Sequence, residues 1–345
     1  KSGSRTSSFV EFVDLVPTVL SLAGIKVPKS VDGKPFLGKK LKKSKIERQN
    51  ITFGYADRFD EKYDLVRSVR KGKFKYIRNY QPFNVDGLYN FYRYKMLAYK
   101  EWYNLFQNGK LNEVQSQFFK PRTPEALYNI EEDPHETKNL ANDDNYNETL
   151  TGLRNELNNH LISINDLSFL PEPHLLQNGL DDIVDYSEKN KDLIKSLIEI
   201  SDLMLYDYNE VSSQIKDALN NDNPWVRYWG LIVSSTFGDL ALENNEKINF
   251  IFENDSENLV RMRAAEFMLL NNIEISDSKI NSLLVRSNFE AEANLMLNTL
   301  ANLKTKYSNY KLKLGKEVFP DDWFPPIRNE NALVNRRMNY LTNNE

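Results

Sequence analysis

Leu65-Val-Arg-Ser-Val-Arg70 and Lys73-Phe-Lys-Tyr-Ile-Arg78 flank Lys71-Gly72 and alternate apolar with basic residues. A period of two is the pattern of a half-buried strand, and Gly between two such runs supplies a tight reversal, so the spacing predicts an antiparallel hairpin. Any fold for this chain has to contain it. Ile51 to Ala56 predicts a strand before the hairpin and Ala126 to Ile130 a fourth strand after it. Asp57-Arg58-Phe59-Asp60-Glu61 reads as a charged loop entering the hairpin, the densest set of charges that could meet a ligand. From about Asn147 to Ile164, Leu150, Leu153, Leu157 and Leu161 recur at helical spacing and should lay one apolar stripe on the sheet. The expected fold of this half is α+β: a small four-stranded antiparallel sheet with one packed helix.

Upstream, Phe9 to Ile25 reads as an extended approach followed by a short helix. Asp14 is the expected N-cap, Pro17 falls in the first turn, Gly24 is a left-handed stop, and Val16, Val19, Leu20 and Ala23 would share a buried face. Lys26 to Asn50 reads as a loop punctuated by Pro28, Gly33, Pro35 and Gly38, with an ordinary solvated lysine run from Lys39 to Lys45. Between Tyr80 and Phe119, residues such as Tyr89, Tyr94, Trp102, Tyr103 and Phe106 are too dense for a plain surface helix. They either pack beneath an insertion, which is the expectation, or stack on a ligand such as a sugar ring.

After a turn-rich connector from Asn165 to Pro173 the character changes to helices separated by short polar turns. Asp222-Asn-Pro-Trp-Val-Arg-Tyr-Trp-Gly-Leu231 and Asp255-Ser-Glu-Asn-Leu-Val-Arg-Met-Arg-Ala-Ala-Glu266 place Arg227 and Arg261 in corresponding positions, and a weaker copy begins at Glu290. A turn Asp followed by Val-Arg at a helix start is the pattern of HEAT-like repeats, whose units bury their apolar faces on one another. Phe319-Pro-Asp-Asp-Trp-Phe-Pro-Pro-Ile327 is expected to fold back over a surface.

A chain of 345 residues, 40% apolar, can fill two cores, and the change in character divides it into residues 1–165 and 166–345. A net charge of -4 provides no basic field, so no nucleic-acid partner is expected. The absence of cysteine excludes disulfides, thiolate metal sites and a cysteine nucleophile. No apolar run is long enough to span a bilayer. Lys1-Ser-Gly-Ser-Arg-Thr-Ser-Ser8 lacks the apolar core of a signal peptide and reads as the interior of a longer protein.

Three motifs carry a resemblance. Val13-Asp-Leu-Val-Pro-Thr-Val-Leu-Ser-Leu-Ala-Gly-Ile25, with Pro28 and Gly33, resembles the segment after the last catalytic-core motif of type I, formylglycine-dependent sulfatases. Ala126-Leu-Tyr-Asn-Ile-Glu-Glu-Asp-Pro-His-Glu-Thr-Lys-Asn-Leu-Ala141 resembles a signature near their C-terminus. Asp57-Arg58 through Tyr76-Ile-Arg-Asn-Tyr80 is similar to the hairpin of bacterial polysaccharide and heparan-type sulfatases. The resemblance covers about residues 9 to 164, the helical repeats being an appendage seen in some bacterial members.

That resemblance implies hydrolysis of sulfate esters by a formylglycine, made from the first residue of a Cys/Ser-x-Pro-x-Arg motif, beside a calcium ion. Neither that motif nor the family's metal-binding aspartate motifs occur here, and His135, His160 and His174 show no metal-ligand spacing. No cofactor is therefore expected in this chain; formylglycine and calcium would come from an N-terminal α/β domain, its expected partner, and the chain alone would be inactive. A sulfated glycan substrate and a periplasmic or secreted location are likewise implied by resemblance.

Within the chain, Arg58 flanked by Asp57 and Asp60 is the expected substrate contact, because a guanidinium fork suits sulfate or carboxylate. The alternative is a surface network of those three residues with little energetic value. Arg67, Lys73 and Lys75 are expected to face solvent. A second reading of the whole is a non-catalytic helical-repeat scaffold carrying a sulfatase remnant, with Trp225, Trp229 and the Val-Arg pairs on a concave binding surface.

Overall fold

A computed structural model describes residues 3, 5–38, 41–42, 50–306, 313–314, 318–319 and 333–342. Most of the 39–45 lysine run and nearly all of the Pro-rich stretch after Phe319 lie outside the described residues.

Four strands, β1 (Ile51–Phe59), β2 (Lys62–Lys71), β3 (Phe74–Asn79) and β4 (Glu125–Asn129), form one antiparallel sheet in chain order. Gly72 makes the β2–β3 reversal at φ 55°, where a side chain would be strained. In the β3–β4 ladder Phe74 faces Asn129 and Arg78 faces Glu125. β1 runs further than the alternation suggests, so the charged loop contracts to a two-residue turn at Asp60 and Glu61, with Asp60 at φ 49°. Arg67 corrects another expectation: it is buried, at 4% exposure. β2 is buried continuously from Lys62 to Leu65 and again at Arg67 and Val69, so both of its faces are covered from Lys62 to Leu65 and Arg67 lies on a covered one. Lys73 is exposed as expected, while Lys75 is half-buried on the Glu136 carboxylate at 2.7 and 2.9 Å.

The chain packs as two interleaved units, Lys1–Tyr55 with Arg67–Arg78 and Glu125–Leu157, and Ala56–Val66 with Asn79–Pro124 and Asn158–Glu345. The boundaries fall inside β1 and β2, whereas the division read from the sequence at residue 165 is continuous along the chain.

In the first unit, Leu150, Leu153 and Leu157 of α2 (Asn147–Ser163) are buried, as is the predicted fourth member of the stripe, Leu161. The helix is tied to β4 because Arg154 donates from Nε and Nη2 to the Glu125 carboxylate, at 3.0 and 2.6 Å, and the Tyr76 hydroxyl donates to it at 2.9 Å. Ahead of the sheet lies α1 (Leu15–Leu22). Asp14 precedes it, but its carboxylate accepts the backbone N–H of Glu11 at 3.0 Å and of Lys34 at 2.7 Å, stitching the following loop to the helix start. Thr18 adds to this by accepting the Phe36 N–H at 3.1 Å. Gly33 sits at φ 83°, and a Cβ there would lie 2.4 Å from the Val13 carbonyl oxygen. The polar side of α1 thus holds the loop, and the apolar side is open. Val16 and Val19, expected to be buried, are 57% and 65% exposed, and Phe12 is 89% exposed. Leu15, Leu22, Ile25 and Leu37 are exposed as well.

The second unit contains α3 (Lys191–Asp202), α4 (Tyr208–Leu219), α5 (Pro224–Phe237), α6 (Asn245–Asn254), α7 (Asn258–Leu270), α8 (Asp277–Val285), α9 (Glu290–Lys306) and α10 (Leu333–Thr342). α5 packs on α3, α4 and α7, α7 also on α6 and α9, and α9 on α10. The Asp-turn and Val-Arg pattern has a physical role at its first copy. Arg227 binds the Asp255 carboxylate of the next copy through Nε and Nη2, at 2.7 and 2.9 Å, and the Asn221 and Asp222 carbonyls through Nη1. Its counterpart Arg261 donates instead to the Phe252 carbonyl at 2.6 Å. Trp225 and Trp229 are both buried, so they form core and not a binding surface. The aromatic segment also packs on itself: Trp102 stacks on Phe118 at 4.6 Å, and Phe106 on Phe119 at 4.8 Å.

His174 lies on the Trp225 ring at 4.7 Å and shares a 2.8 Å hydrogen bond with the Tyr186 hydroxyl. Burial holds its imidazole below the usual histidine value. A group with a lowered folded-state pKa contributes fully above its unfolded value, about 6.5, and loses that contribution as pH falls through the folded one. The melting temperature should therefore drop between pH 7 and pH 5, with His174→Gln flattening the drop; an unchanged pH slope in the variant would assign the drop to other groups.

Candidate functional site

The turn between β1 and β2 gathers the three residues singled out from the sequence, and each has a defined partner in the second unit. Arg58 Nε lies 2.9 and 2.8 Å from the two carboxylate oxygens of Glu172, and its Nη1 donates to the Asp60 carbonyl at 3.2 Å. Its Nη2 edge has no partner among the described residues, and its side chain is 38% exposed. The Asp57 carboxylate accepts the Ser168 hydroxyl at 3.0 Å. The Asp60 carboxylate faces Arg336 at 3.5 Å, and Arg336 also lies 3.6 Å from Glu61, which is fully buried and takes the Phe91 N–H on its other oxygen. Arg58, Asp57 and Asp60 therefore do not form a network with one another alone. Beside them Phe59 and Tyr92 are both half exposed and meet edge-on at 6.3 Å.

What holds the turn lies beneath it. Asn298 on α9 accepts the Tyr63 N–H at 2.9 Å and donates to the Tyr63 carbonyl at 3.0 Å, as a neighbouring strand would. Arg337 on α10 donates to the Glu61 carbonyl from Nε and Nη2 at 3.2 and 2.9 Å, to the Tyr89 carbonyl at 2.7 Å and to Asn298 Oδ1 at 2.7 Å. Burial pushes this guanidinium down to about 10, while the Glu61 carboxylate opposes the shift. The turn is thus mounted on a desolvated polar cluster.

Reading the sequence alone missed Glu172, Ser168, Arg336, Arg337 and Asn298. The one available signal was the amide stripe Asn294, Asn298 and Asn302 at four-residue spacing among the Leu, Met and Ala residues of α9; all three are buried. Side chains of that kind inside a core need polar partners.

The chemistry this chain can offer follows from the same inventory. Among the described residues no group of three or more His, Asp or Glu could hold a metal ion. No Cys or Ser stands two residues before any of its prolines, so the formylglycine motif has no place in this chain. The described residues do not fit a calcium site. No helix among the described residues is long and apolar enough to cross a membrane.

Residues 1–122 match the family model described as N-sulphoglucosamine sulphohydrolase, C-terminal. This part of the chain is a sulfatase C-terminal region. The sulfatase region also aligns with an "Ulvan-active sulfatase" of Formosa agariphila, 42% identical over 168 residues, which is 48% of this chain and 28% of that protein. A second "Ulvan-active sulfatase" of the same organism is 28% identical over 149 residues, 42% of this chain and 27% of its own length. The matches span little more than a quarter of either relative. The Arg58 turn lies inside the matched 1–122 segment, and α3 to α10 lie beyond it.

Proposed function

We propose that this chain is the C-terminal part of a sulfatase hydrolysing sulfate esters of a sulfated polysaccharide, ulvan by the names of its relatives, and that it recognises the glycan without carrying out the chemistry. The match of residues 1–122 to a sulfatase C-terminal region is the observation that carries this reading. The formylglycine and calcium then belong to an N-terminal α/β domain of the same protein. The open apolar face of α1 supports that partner: Phe12, Val16, Val19 and Leu22 are more than half exposed, and an isolated soluble surface rarely leaves such a group uncovered. A HEAT-like helical extension and action outside the cytoplasm complete the reading. Both rest on sequence pattern and family resemblance.

Arg58, with Asp57 and Asp60 shaping its turn, is the residue we assign to the glycan. Its unengaged Nη2 edge can take one oxygen of a sulfate or carboxylate, and the half-exposed Glu172 pair, worth ~1 kcal/mol or less, can be displaced to free the fork. In the full-length protein Arg58→Ala should weaken binding of polymer fragments about tenfold, roughly 1.4 kcal/mol, and leave turnover of a small aryl sulfate within about twofold. Glu172→Gln should strengthen fragment binding by releasing the guanidinium. Equal losses on polymer and aryl sulfate in Arg58→Ala would make the residue structural.

A further inference from the structure

Of the dense aromatics between Tyr80 and Phe119, Trp102, Phe106, Phe118 and Phe119 pack on one another. Tyr92 does not join them. It is 56% exposed, and its one ring neighbour among the described residues is Phe59, 52% exposed, with centroids 6.3 Å apart and planes at 77°. No cation lies over either ring among the described residues, whereas the adjacent Phe91 ring is flanked by Arg336 at 4.9 Å and Lys95 at 4.7 Å. The Tyr92 hydroxyl also has no hydrogen-bond partner among the described residues. Two large rings thus stand together at the surface with most of their area open to a ligand.

The pair is fixed from beneath. Asn90 donates from Nδ2 to the Phe59 carbonyl at 3.0 Å and accepts the Arg93 N–H on Oδ1 at 2.9 Å, starting the helical turn Phe91–Tyr94 that carries Tyr92. The Glu61 carboxylate accepts the Phe91 N–H, and both Asn90 and Glu61 are fully buried. The backbone under each ring is therefore set before any ligand arrives, and little ordering entropy is lost on binding. Two rings at nearly a right angle, with a free hydroxyl on one and charged residues around them, suit a ligand that has an apolar face and a polar rim. A pyranose has both, C–H bonds on the ring face and hydroxyls at the edge. Phe59 is the last residue of β1, an edge strand, and directly follows Arg58. Consecutive strand residues project to opposite sides, so a ring on Phe59 and an anion on Arg58 belong to different units of one polymer.

We propose that Phe59 and Tyr92 form a stacking platform for a sugar ring of the glycan, a different unit from the one whose sulfate or carboxylate meets Arg58. The saccharide class rests on the function proposed above. The platform adds to it an uncharged contact and a length requirement: only a fragment that reaches both Arg58 and the two rings gains from each.

The test titrates the full-length protein by calorimetry with oligosaccharides of graded length cut from the polymer proposed above. Tyr92→Ala and Phe59→Ala should each weaken binding of the longest fragments about fivefold or more and reduce the affinity gained with length. Tyr92→Phe, which keeps the ring, should stay within about twofold of the parent, and Tyr92→Leu, which keeps only the apolar character, should lose as much as Tyr92→Ala. All are changes at positions more than half exposed, so an unchanged melting temperature is expected and shows that the variants fold. Stacking is uncharged: the Tyr92→Ala loss should be the same at low and high salt, while the Arg58→Ala loss should shrink as salt rises. Binding by Tyr92→Ala within about twofold of the parent would overturn the platform. So would Tyr92→Leu binding as well as Tyr92→Phe, a Tyr92→Ala loss that disappears at high salt, or an equal loss in Leu97→Ser, a change at another exposed apolar residue of the same segment. A parent that binds no fragment removes the glycan reading and the platform together. Weakened binding in Tyr92→Ala with none in Arg58→Ala removes the role of Arg58 and leaves the platform standing.

Discussion

Arg337→Ala is expected to lower the unfolding free energy of the chain by about 3–5 kcal/mol, read from the urea midpoint. The side chain is fully buried, and its removal strands the Glu61 carbonyl, the Tyr89 carbonyl and part of the Asn298 amide in a dry interior. Each stranded acceptor costs roughly 1–3 kcal/mol, partly offset because a buried guanidinium no longer has to be desolvated. Arg337→Lys should lose nearly as much, since a single ammonium cannot reach carbonyls on two segments and an amide together. Because these contacts end at Glu61 and Tyr63, both variants should also loosen the Arg58 turn, seen as faster amide exchange at Phe59 to Tyr63. A loss below about 1 kcal/mol would mean that the turn is held by β2 alone.

The second large effect concerns α1. Val16→Asp with Val19→Lys puts an acid near the N-terminal end of the helix and a base near its C-terminal end, where the helix dipole tolerates each. Both positions are more than half exposed, so the stability of the 345-residue chain should change by no more than about 0.5 kcal/mol. In the full-length protein the same pair would bury two charges in the proposed interdomain contact, at a cost of several kcal/mol each unless paired, on the order of the whole stability of such a contact. Soluble yield or sulfatase activity should fall at least about tenfold. Full-length protein that keeps its yield and activity with both substitutions would show that α1 is not covered by the proposed N-terminal domain.

The strands were legible because β2 and β3 alternate cleanly around Gly72 and because side-chain direction in a strand follows parity. The length of β1 was not. Asp57 and Arg58 look like loop residues by type, yet Ser168 and Glu172, more than a hundred positions away, satisfy their charges along an extended backbone. Arg67 misled for a related reason: alternation gives the two faces of a strand but not whether the second face is covered, and consecutive residues of β2 are buried from Lys62 to Leu65. The stripe of Leu150, Leu153, Leu157 and Leu161 was readable as a buried face, while of the stripe expected on α1 Val16, Val19 and Ala23 are exposed and Leu20 is only partly buried. Periodicity says that a face is apolar; what covers it depends on chain that the periodicity does not contain. The Arg58 turn could be singled out from charge density, but its support could not, because Asn298 and Arg337 lie on distant helices and act through backbone groups that have no sequence signature.

We propose that this chain is part of a sulfatase whose chemistry is carried out by residues outside it. The most direct test of this measures sulfate release from ulvan and from an aryl sulfate, side by side, for the 345-residue chain and for the full-length protein matured with its formylglycine and supplied with calcium. Release is expected from the full-length protein and none above background from the chain alone. Turnover by the isolated chain, or a correctly matured full-length protein that releases no sulfate from either substrate, would contradict it.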